Sequence, residues 1–154
     1  MKIYPISNFD KGIPVGFSPD GGNVRMTSDT SEALIFEGTG SGTIYLTNPG
    51  VDSSIESTAS FVIPAGASFI EFNYKSDLPF YVGLQSNLSS LVSSAPYYLT
   101  GVYPSDHWQK FYLKLSDYVA EYPGSSYNFY IKVSLPADSM PGRLLIDNVQ
   151  LVSF

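Results

Sequence analysis

The sequence predicts an all-β fold, an antiparallel β-sandwich of about nine strands in a single domain spanning residues 1–154. Three observations predict it. Segments rich in Val, Ile, Phe, Tyr and Thr recur along the chain, and clusters of Gly, Pro, Ser, Asn and Asp separate them at short intervals. Helical patterning is nearly absent, since the best candidate, residues 115–121, is short and followed by Pro123-Gly124. No linker or internal repeat divides the chain, which is long enough for one core.

The predicted strands follow one another between these turn clusters. In order, they span residues 23–27, 33–37, 42–47, 58–63, 68–75, 79–85, 108–115, 127–134 and 143–153. Four late strands, 68–75, 79–85, 108–115 and 127–134, alternate between two faces, as in 79–85, where Phe80, Val82 and Leu84 share one face. Segment 86–105 has no clear period, so we expect a long aromatic loop there.

Composition excludes several classes of function. The chain has no cysteine, which rules out disulfide scaffolds, zinc-thiolate sites and cysteine nucleophiles. Its net charge of -6 argues against nucleic acid as a partner, and no apolar run is long enough for membrane insertion. Only 14% of residues are charged, whereas 15% are aromatic, so Ser, Thr, Asn, Gly and Tyr must cover the surface. We therefore expect an extracytoplasmic protein, secreted or at the cell surface, whose leader peptide is absent from this sequence.

The closing segment, residues 142–152, predicts a buried strand with an acid at its centre. Strict alternation places Asp147 on the same face as Leu145, Val149 and Leu151. An unpaired carboxylate among aliphatic residues is costly. We therefore expect a cation, a basic partner or several backbone N–H groups to compensate Asp147.

Alternation on four late strands also predicts which polar and aromatic side chains point outward. Flat rings surrounded by amides and a few charges are suited to binding sugars, which offer an apolar ring face and a fringe of hydroxyls. The outward set consists of Glu71, Asn73, Tyr81, Gln85, Tyr112, Asn128, Tyr130 and Lys132. Such a set is also ordinary, because tyrosine favours the solvent face of sheets. A rival site lies in the loop, with Tyr97, Tyr98, Tyr103 and Trp108.

Several short motifs resemble the jelly-roll carbohydrate-binding modules of the galactose-binding-like superfamily. They are Asn8-Phe9-Asp10-Lys11-Gly12 with Gly16-Phe17, the segment 28–36, His107-Trp108-Gln109-Lys110, and Leu145-Ile146-Asp147-Asn148-Val149. The resemblance implies a jelly-roll sandwich that binds polysaccharide or oligosaccharide without catalysis, within a larger exported protein. It also implies a structural Ca²⁺ held by Asp10, Asp147 and backbone carbonyls near residues 29–32, an oxygen set that calcium prefers.

Two other functions are also compatible with the sequence. The first is a structural or adhesion domain of an exported protein without a sugar ligand, since exposed tyrosines also suit protein contacts. The second is a small polysaccharide lyase or hydrolase. His107 is the single histidine and no Gly-x-Ser-x-Gly motif accompanies it, while Glu37 and Glu71 are the two glutamates on predicted strands and could face one groove. We therefore expect no catalytic residues.

Overall fold

The computed structural model is a sandwich of two antiparallel sheets. It describes residues 1–11, 17–19, 26–57, 60–87, 97–121 and 126–154, without the side chains of 17–19, 28, 51–56 and 97–99. The strands described are β1 (Lys2–Ser7), β2 (Phe17–Pro19), β3 (Thr27–Asp29), β4 (Ser41–Leu46), β5 (Val51–Ser57), β6 (Ser68–Ser76), β7 (Phe80–Asn87), β8 (Tyr97–Val102), β9 (Ser105–Lys114), β10 (Ser126–Leu135) and β11 (Gly142–Ser153). A 3₁₀ turn at Glu32–Leu34 and a helix α1 at Ser116–Glu121 complete them. Neither has the length of a membrane span.

Sheet A has the strand order β3-β4-β11-β6-β9, and β1 also pairs with β11. Strand β6 follows β11 along most of its length, so β4 and β1 share the other edge, with β4 on residues 142–146 and β1 on residues 149–153. Sheet B has the order β2-β5-β10-β7-β8. The predicted all-β sandwich is confirmed, including the short helical turn near 115–121.

The core lies between the two sheets and is rich in aromatic rings. Phe72 on β6 contacts Phe111 on β9 at 5.3 Å between ring centroids and Phe129 on β10 at 5.9 Å. Phe80, Val82 and Leu84 on β7 are fully buried, as alternation predicts. Rings from both sheets therefore meet in one hydrophobic core.

Several of the early strands differ from their predicted positions. Residues 32–34 form a 3₁₀ turn instead of starting the strand predicted at 33–37. Strand β5 lies at Val51–Ser57, before the strand predicted at 58–63, where Phe61 makes an isolated bridge to Tyr127. Most of the predicted strand 23–27 lies outside the described residues. Strands β1, β2 and β8 were not predicted, and β8 belongs to the segment expected to be a loop.

The closing strand β11 contains a β-bulge, so the faces predicted for its residues beyond Asp147 are wrong. The pairing of β11 with β6 shifts between Asp147 and Gln150, and Asn148 has a φ of 49°. The extra residue reverses the alternation beyond it. Val149 and Leu151 therefore join Leu144 and Ile146 in the core, whereas Asp147 shares the outer face of sheet A. Asp147 is nevertheless fully buried, as the sequence predicts.

Candidate functional site

The predicted outward side chains divide between the two opposite faces of the sandwich. Tyr81, Gln85, Asn128, Tyr130 and Lys132 lie on β7 and β10 and share the outer face of sheet B. Glu71, Asn73 and Tyr112 lie on β6 and β9 and share the outer face of sheet A. Alternation is correct for each strand, but the eight residues do not form one platform.

The outer face of sheet B carries an aromatic groove near the β7–β8 edge. Tyr81, about half exposed, pairs with Gly101 across the strands, and its ring occupies the space that a side chain there would need. A Cβ added to Gly101 would lie 3.2 Å from Tyr81 Cε1. The groove has a volume of about 240 Å³, and its lining includes Pro79 and the highly exposed Tyr103. The structure thus brings Tyr81 of the predicted face together with Tyr103 of the rival loop site.

Polar side chains continue this face along β7 and β10. Lys132 is the neighbour of Tyr81 in the strand pairing, and Asn128 is the neighbour of Gln85. Tyr130 is almost completely buried, and its hydroxyl donates to Gln85 Oε1 at 2.7 Å. Tyr130 therefore orients Gln85 and does not offer an open ring for stacking.

The amide of Asn128 is fixed as well. Its Nδ2 donates to the Ser57 carbonyl at 2.6 Å, and its Oδ1 accepts from Asn87 Nδ2 at 2.6 Å. Hydrogen-bonded amides of this kind have little rotamer freedom left to lose when a ligand binds. The face is thus pre-organised beyond the aromatic groove.

Trp108 of the rival loop site lies in the other sheet and does not line the groove that contains Tyr103. The side chains of Tyr97 and Tyr98 lie outside the described residues. Trp108 lies on β9 in sheet A, where its ring packs against Phe36 at 5.3 Å between centroids. The predicted loop cluster is therefore divided between the two sheets.

The outer face of sheet A centres on a buried carboxylate. Glu71 Oε1 accepts from Lys110 Nζ at 2.8 Å and from Gln150 Nε2 at 2.7 Å. Burial alone would raise the pKa of Glu71, but hydrogen bonds from Lys110, Gln150 and Tyr112 outweigh it and hold that pKa below its usual value. The bond to Glu71 in turn raises the pKa of Lys110. Asn73 is buried next to this pair.

Asp147 is compensated by hydrogen bonds from the segment that covers it. Its Oδ2 accepts from Ser41 Oγ at 2.9 Å and from the Glu37 N–H at 3.3 Å, and its Oδ1 accepts from the Asn148 N–H at 2.7 Å. Burial raises the pKa of Asp147, these bonds offset part of the rise, and the charge of Asp10 adds to it. Burial of the ionised Asp147 carboxylate is therefore unfavourable even with three hydrogen-bond donors.

Asp10 is bound to the same covering segment. Its Oδ1 accepts from the Thr39 N–H at 2.7 Å, and its carbonyl accepts from Thr39 Oγ1 at 2.7 Å. The predicted metal ligands Asp10 and Asp147 are thus both anchored to residues 37–41. Among the described residues, no group of three or more His, Cys, Asp or Glu side chains forms a metal site.

Sequence reasoning missed the small residues that shape these sites. Gly101 makes room for the Tyr81 ring, and its signal was a glycine inside a run containing three tyrosines. Ser41 and Thr39 provide the hydroxyls for the two acids. They lie in Gly38-Thr39-Gly40-Ser41-Gly42, which reads as a plain turn because nothing local indicates its distant partners.

Solved structures of carbohydrate-binding modules share this fold. No protein-family model matches the chain, and no curated protein matches its sequence. A family 22 xylan-binding domain from Paenibacillus barcinonensis is similar over 97% of this chain and 91% of its own, with 16% identity and a TM-score of 0.63.

Two structures of carbohydrate-binding modules with bound sugars are also similar to this chain. A family 29 module complexed with cellulohexaose is 14% identical, with 97% and 89% coverage and a TM-score of 0.61. The module TmCBM61 in complex with β-1,4-galactotriose is 17% identical, with 96% and 94% coverage and a TM-score of 0.56. These comparisons confirm the predicted β-sandwich. It is the fold of carbohydrate-binding modules, the proteins that the sequence motifs resemble.

Proposed function

We propose that this protein is a non-catalytic carbohydrate-binding module that holds a glycan on the outer face of sheet B. The observation that carries the proposal is the half-exposed Tyr81 ring over Gly101, with Tyr103 beside it in one groove. A sugar ring presents C–H groups on its face, which stack on such aromatic rings. Its hydroxyls need donors and acceptors at the edge of the stack.

The polar groups of the face supply both kinds of partner. Lys132 brings ammonium donors next to Tyr81, while Gln85 and Asn128 bring amides further along the strands. Tyr81 and Gln85 are four residues apart on β7, about 13 Å along the strand. A glycan chain, rather than a single sugar, would reach from the aromatic groove to the amides. Similar folds bind cellulohexaose, xylan and β-1,4-galactotriose, which supports polysaccharide as the ligand class.

The chemistry of the acids supports binding without catalysis. A glycosidase needs one carboxylic acid with a raised pKa as proton donor and a second carboxylate across the sugar. Glu71 is held ionised by Lys110, and Asp147 is fully buried under residues 37–41. His107 is exposed and bonds to Asp106 at 2.6 Å, while the Ser105 hydroxyl donates to the His107 carbonyl and not to the imidazole.

The setting that we propose is extracytoplasmic, within a larger glycan-degrading system. The low charge and high tyrosine content support it, as does the likeness to carbohydrate-binding modules. A structural or adhesion domain would share the same sandwich without binding sugars, so a direct binding measurement separates the two functions.

Tyr81→Ala is expected to weaken glycan binding about tenfold or more, because it removes the stacking ring, and tenfold corresponds to about 1.4 kcal/mol. Isothermal titration with cellulohexaose, xylan oligosaccharide and β-1,4-galactotriose measures it. Gly101→Ala retains the ring but displaces it, so we expect a smaller loss. Tyr45→Ala is the matched control, since Tyr45 is equally exposed on sheet A. Absence of binding to every glycan would reject the proposal and favour a structural domain.

Calcium binding by Asp10 and Asp147 stays a prediction. Two neighbouring carboxylates of like charge are hard oxygen donors. Burial is the main cause of the raised pKa of Asp147, and a cation would relieve the repulsion from Asp10 that adds to it. At 100 times its Kd, calcium would stabilise the fold by about 2.7 kcal/mol, or about 5–10 °C in Tm. We expect EDTA to remove that gain and Asp10→Asn to abolish the response. An equal Tm in calcium and EDTA would contradict the prediction and leave the hydrogen bonds as the sole compensation of Asp147.

A further inference from the structure

The outer face of sheet A carries a second groove, on the side of the sandwich opposite Tyr81. It has a volume of about 250 Å³ and is lined by Met1, Phe69, Glu71, Tyr112, Val152 and Phe154. Tyr112 and Glu71 are direct neighbours in the pairing of β9 with β6, and Gln150 continues the row on β11. The proposed glycan face on sheet B uses none of these residues.

The polar part of this groove is a fixed hydrogen-bond acceptor. Glu71 is 9% exposed, and the donors Lys110 and Gln150 both meet its Oε1. A carboxylate has about four lone-pair sites, and Lys110 and Gln150 occupy two of them, both on Oε1. The remaining capacity suits one hydroxyl donor from a ligand. Because Lys110 neutralises Glu71, this ion pair carries no net charge with which to select a charged ligand.

The apolar part of the groove is aromatic and open to solvent. Tyr112 is 58% exposed, and Phe69 packs edge to face against Phe154 at 6.0 Å between ring centroids. On the same strand as Tyr112, Trp108 packs against the exposed Phe36. Tyr112 and Trp108 are four residues apart, about 13 Å along β9. Aromatic rings thus flank the Glu71–Lys110 pair at both ends.

We propose that this face is a second carbohydrate site, in which a neutral sugar unit stacks on Tyr112 and donates a hydroxyl to Glu71. The proposal rests on the proposed function for the ligand class, but on different residues. A protein interface would be expected to have few charges at its centre, whereas an ion pair lies at the centre of this face. A groove of this volume is smaller than those for drug-sized ligands, about 300–1,000 Å³, and suits a single sugar ring.

The test is an NMR titration of the whole chain, followed by backbone amide shifts. The probes are cellulohexaose, xylohexaose and β-1,4-galactotriose. We expect two sets of shifts with one or more of these probes, one on β7, β8 and β10 and one on residues 69–73, 110–113 and 149–152. Tyr112→Ala should weaken this site about tenfold, so that the second set of shifts is largely lost at ligand concentrations near the Kd of the unsubstituted chain. Tyr112→Phe, which retains the ring, should preserve that set.

Each outcome separates the two sites. Shifts confined to sheet B, unchanged in Tyr112→Ala, would overturn the second site and leave the proposed function standing. Shifts confined to sheet A, lost in Tyr112→Ala but not in Tyr81→Ala, would support this site and overturn the groove on sheet B. Tyr45→Ala should change neither set. An absence of shifts on both faces with all three probes would reject both proposals.

Discussion

Replacing Phe72 with alanine is expected to lower the free energy of unfolding by about 3–5 kcal/mol. Phe72 has no solvent exposure, and its ring contacts Phe111 of its own sheet and Phe129 of the other sheet. Because the ring joins the two layers, its removal leaves a cavity that neither sheet fills without moving its strands. The large loss of unfolding free energy is expected because the strands around the cavity cannot move to fill it.

Urea denaturation measures the loss directly, and the Tm should fall by about 6–20 °C in a chain of this length. Phe36→Ala is the matched control, since Phe36 is 41% exposed and contacts Trp108 at the surface. We expect the control to lose about 1 kcal/mol or less. Equal losses in the two variants would show that the ring does not join the sheets, contrary to the contacts described.

The late strands could be predicted because their alternation is strong. Strand β7 alternates Phe80, Val82 and Leu84 with polar or small residues, and burial follows that pattern. Strand β5 has only Val51 and Ile55 as apolar residues, so its sequence resembles a turn. Its position depends on pairing with β10 on one side and β2 on the other, and such distant partners leave no local pattern.

In the candidate site, too, local sequence predicts the direction of a side chain but not which strands lie beside it. Alternation correctly places Tyr81, Tyr112 and Tyr130 on outward faces. It does not determine which sheet a strand joins, and that assignment separates Tyr112 from the other two. It also does not show that Tyr130 is covered. Exposure depends on neighbours across the sheet, whereas direction depends only on the strand itself.

The bulge at Asn148 had a sequence signal that alternation alone does not use. Asparagine tolerates a positive φ better than most residues, and Asn148 follows an acid that must be covered. Without the bulge, Asp147 would face the same way as Val149 and Leu151, which are core residues. The bulge thus keeps the Asp147 carboxylate out of the hydrophobic core. Asp147 faces the Ser41 hydroxyl, while the aliphatic residues stay inside.

Replacing Asp147 with alanine is expected to destabilise the fold by about 2–4 kcal/mol at neutral pH. The substitution leaves the Ser41 hydroxyl and the N–H groups of Glu37 and Asn148 without their acceptor, and each unsatisfied group costs about 1–3 kcal/mol. The gain from no longer burying a charge offsets part of that sum. Asp147→Asn retains one acceptor oxygen, so its loss should be smaller.

The pH dependence of that loss tests the electrostatics of Asp147. Its pKa is raised above 3.8 in the folded protein, so the folded state binds the proton more tightly than the unfolded state. Stability from this group is therefore full below pH 3.8 and declines as pH rises through the folded pKa. Urea titrations in EDTA should show that Asp147→Ala costs more in acid than at neutral pH, while exposed Asp138→Ala changes little. A cost that increases with pH would mean that the ionised carboxylate is the favoured form, and that its donors outweigh its burial.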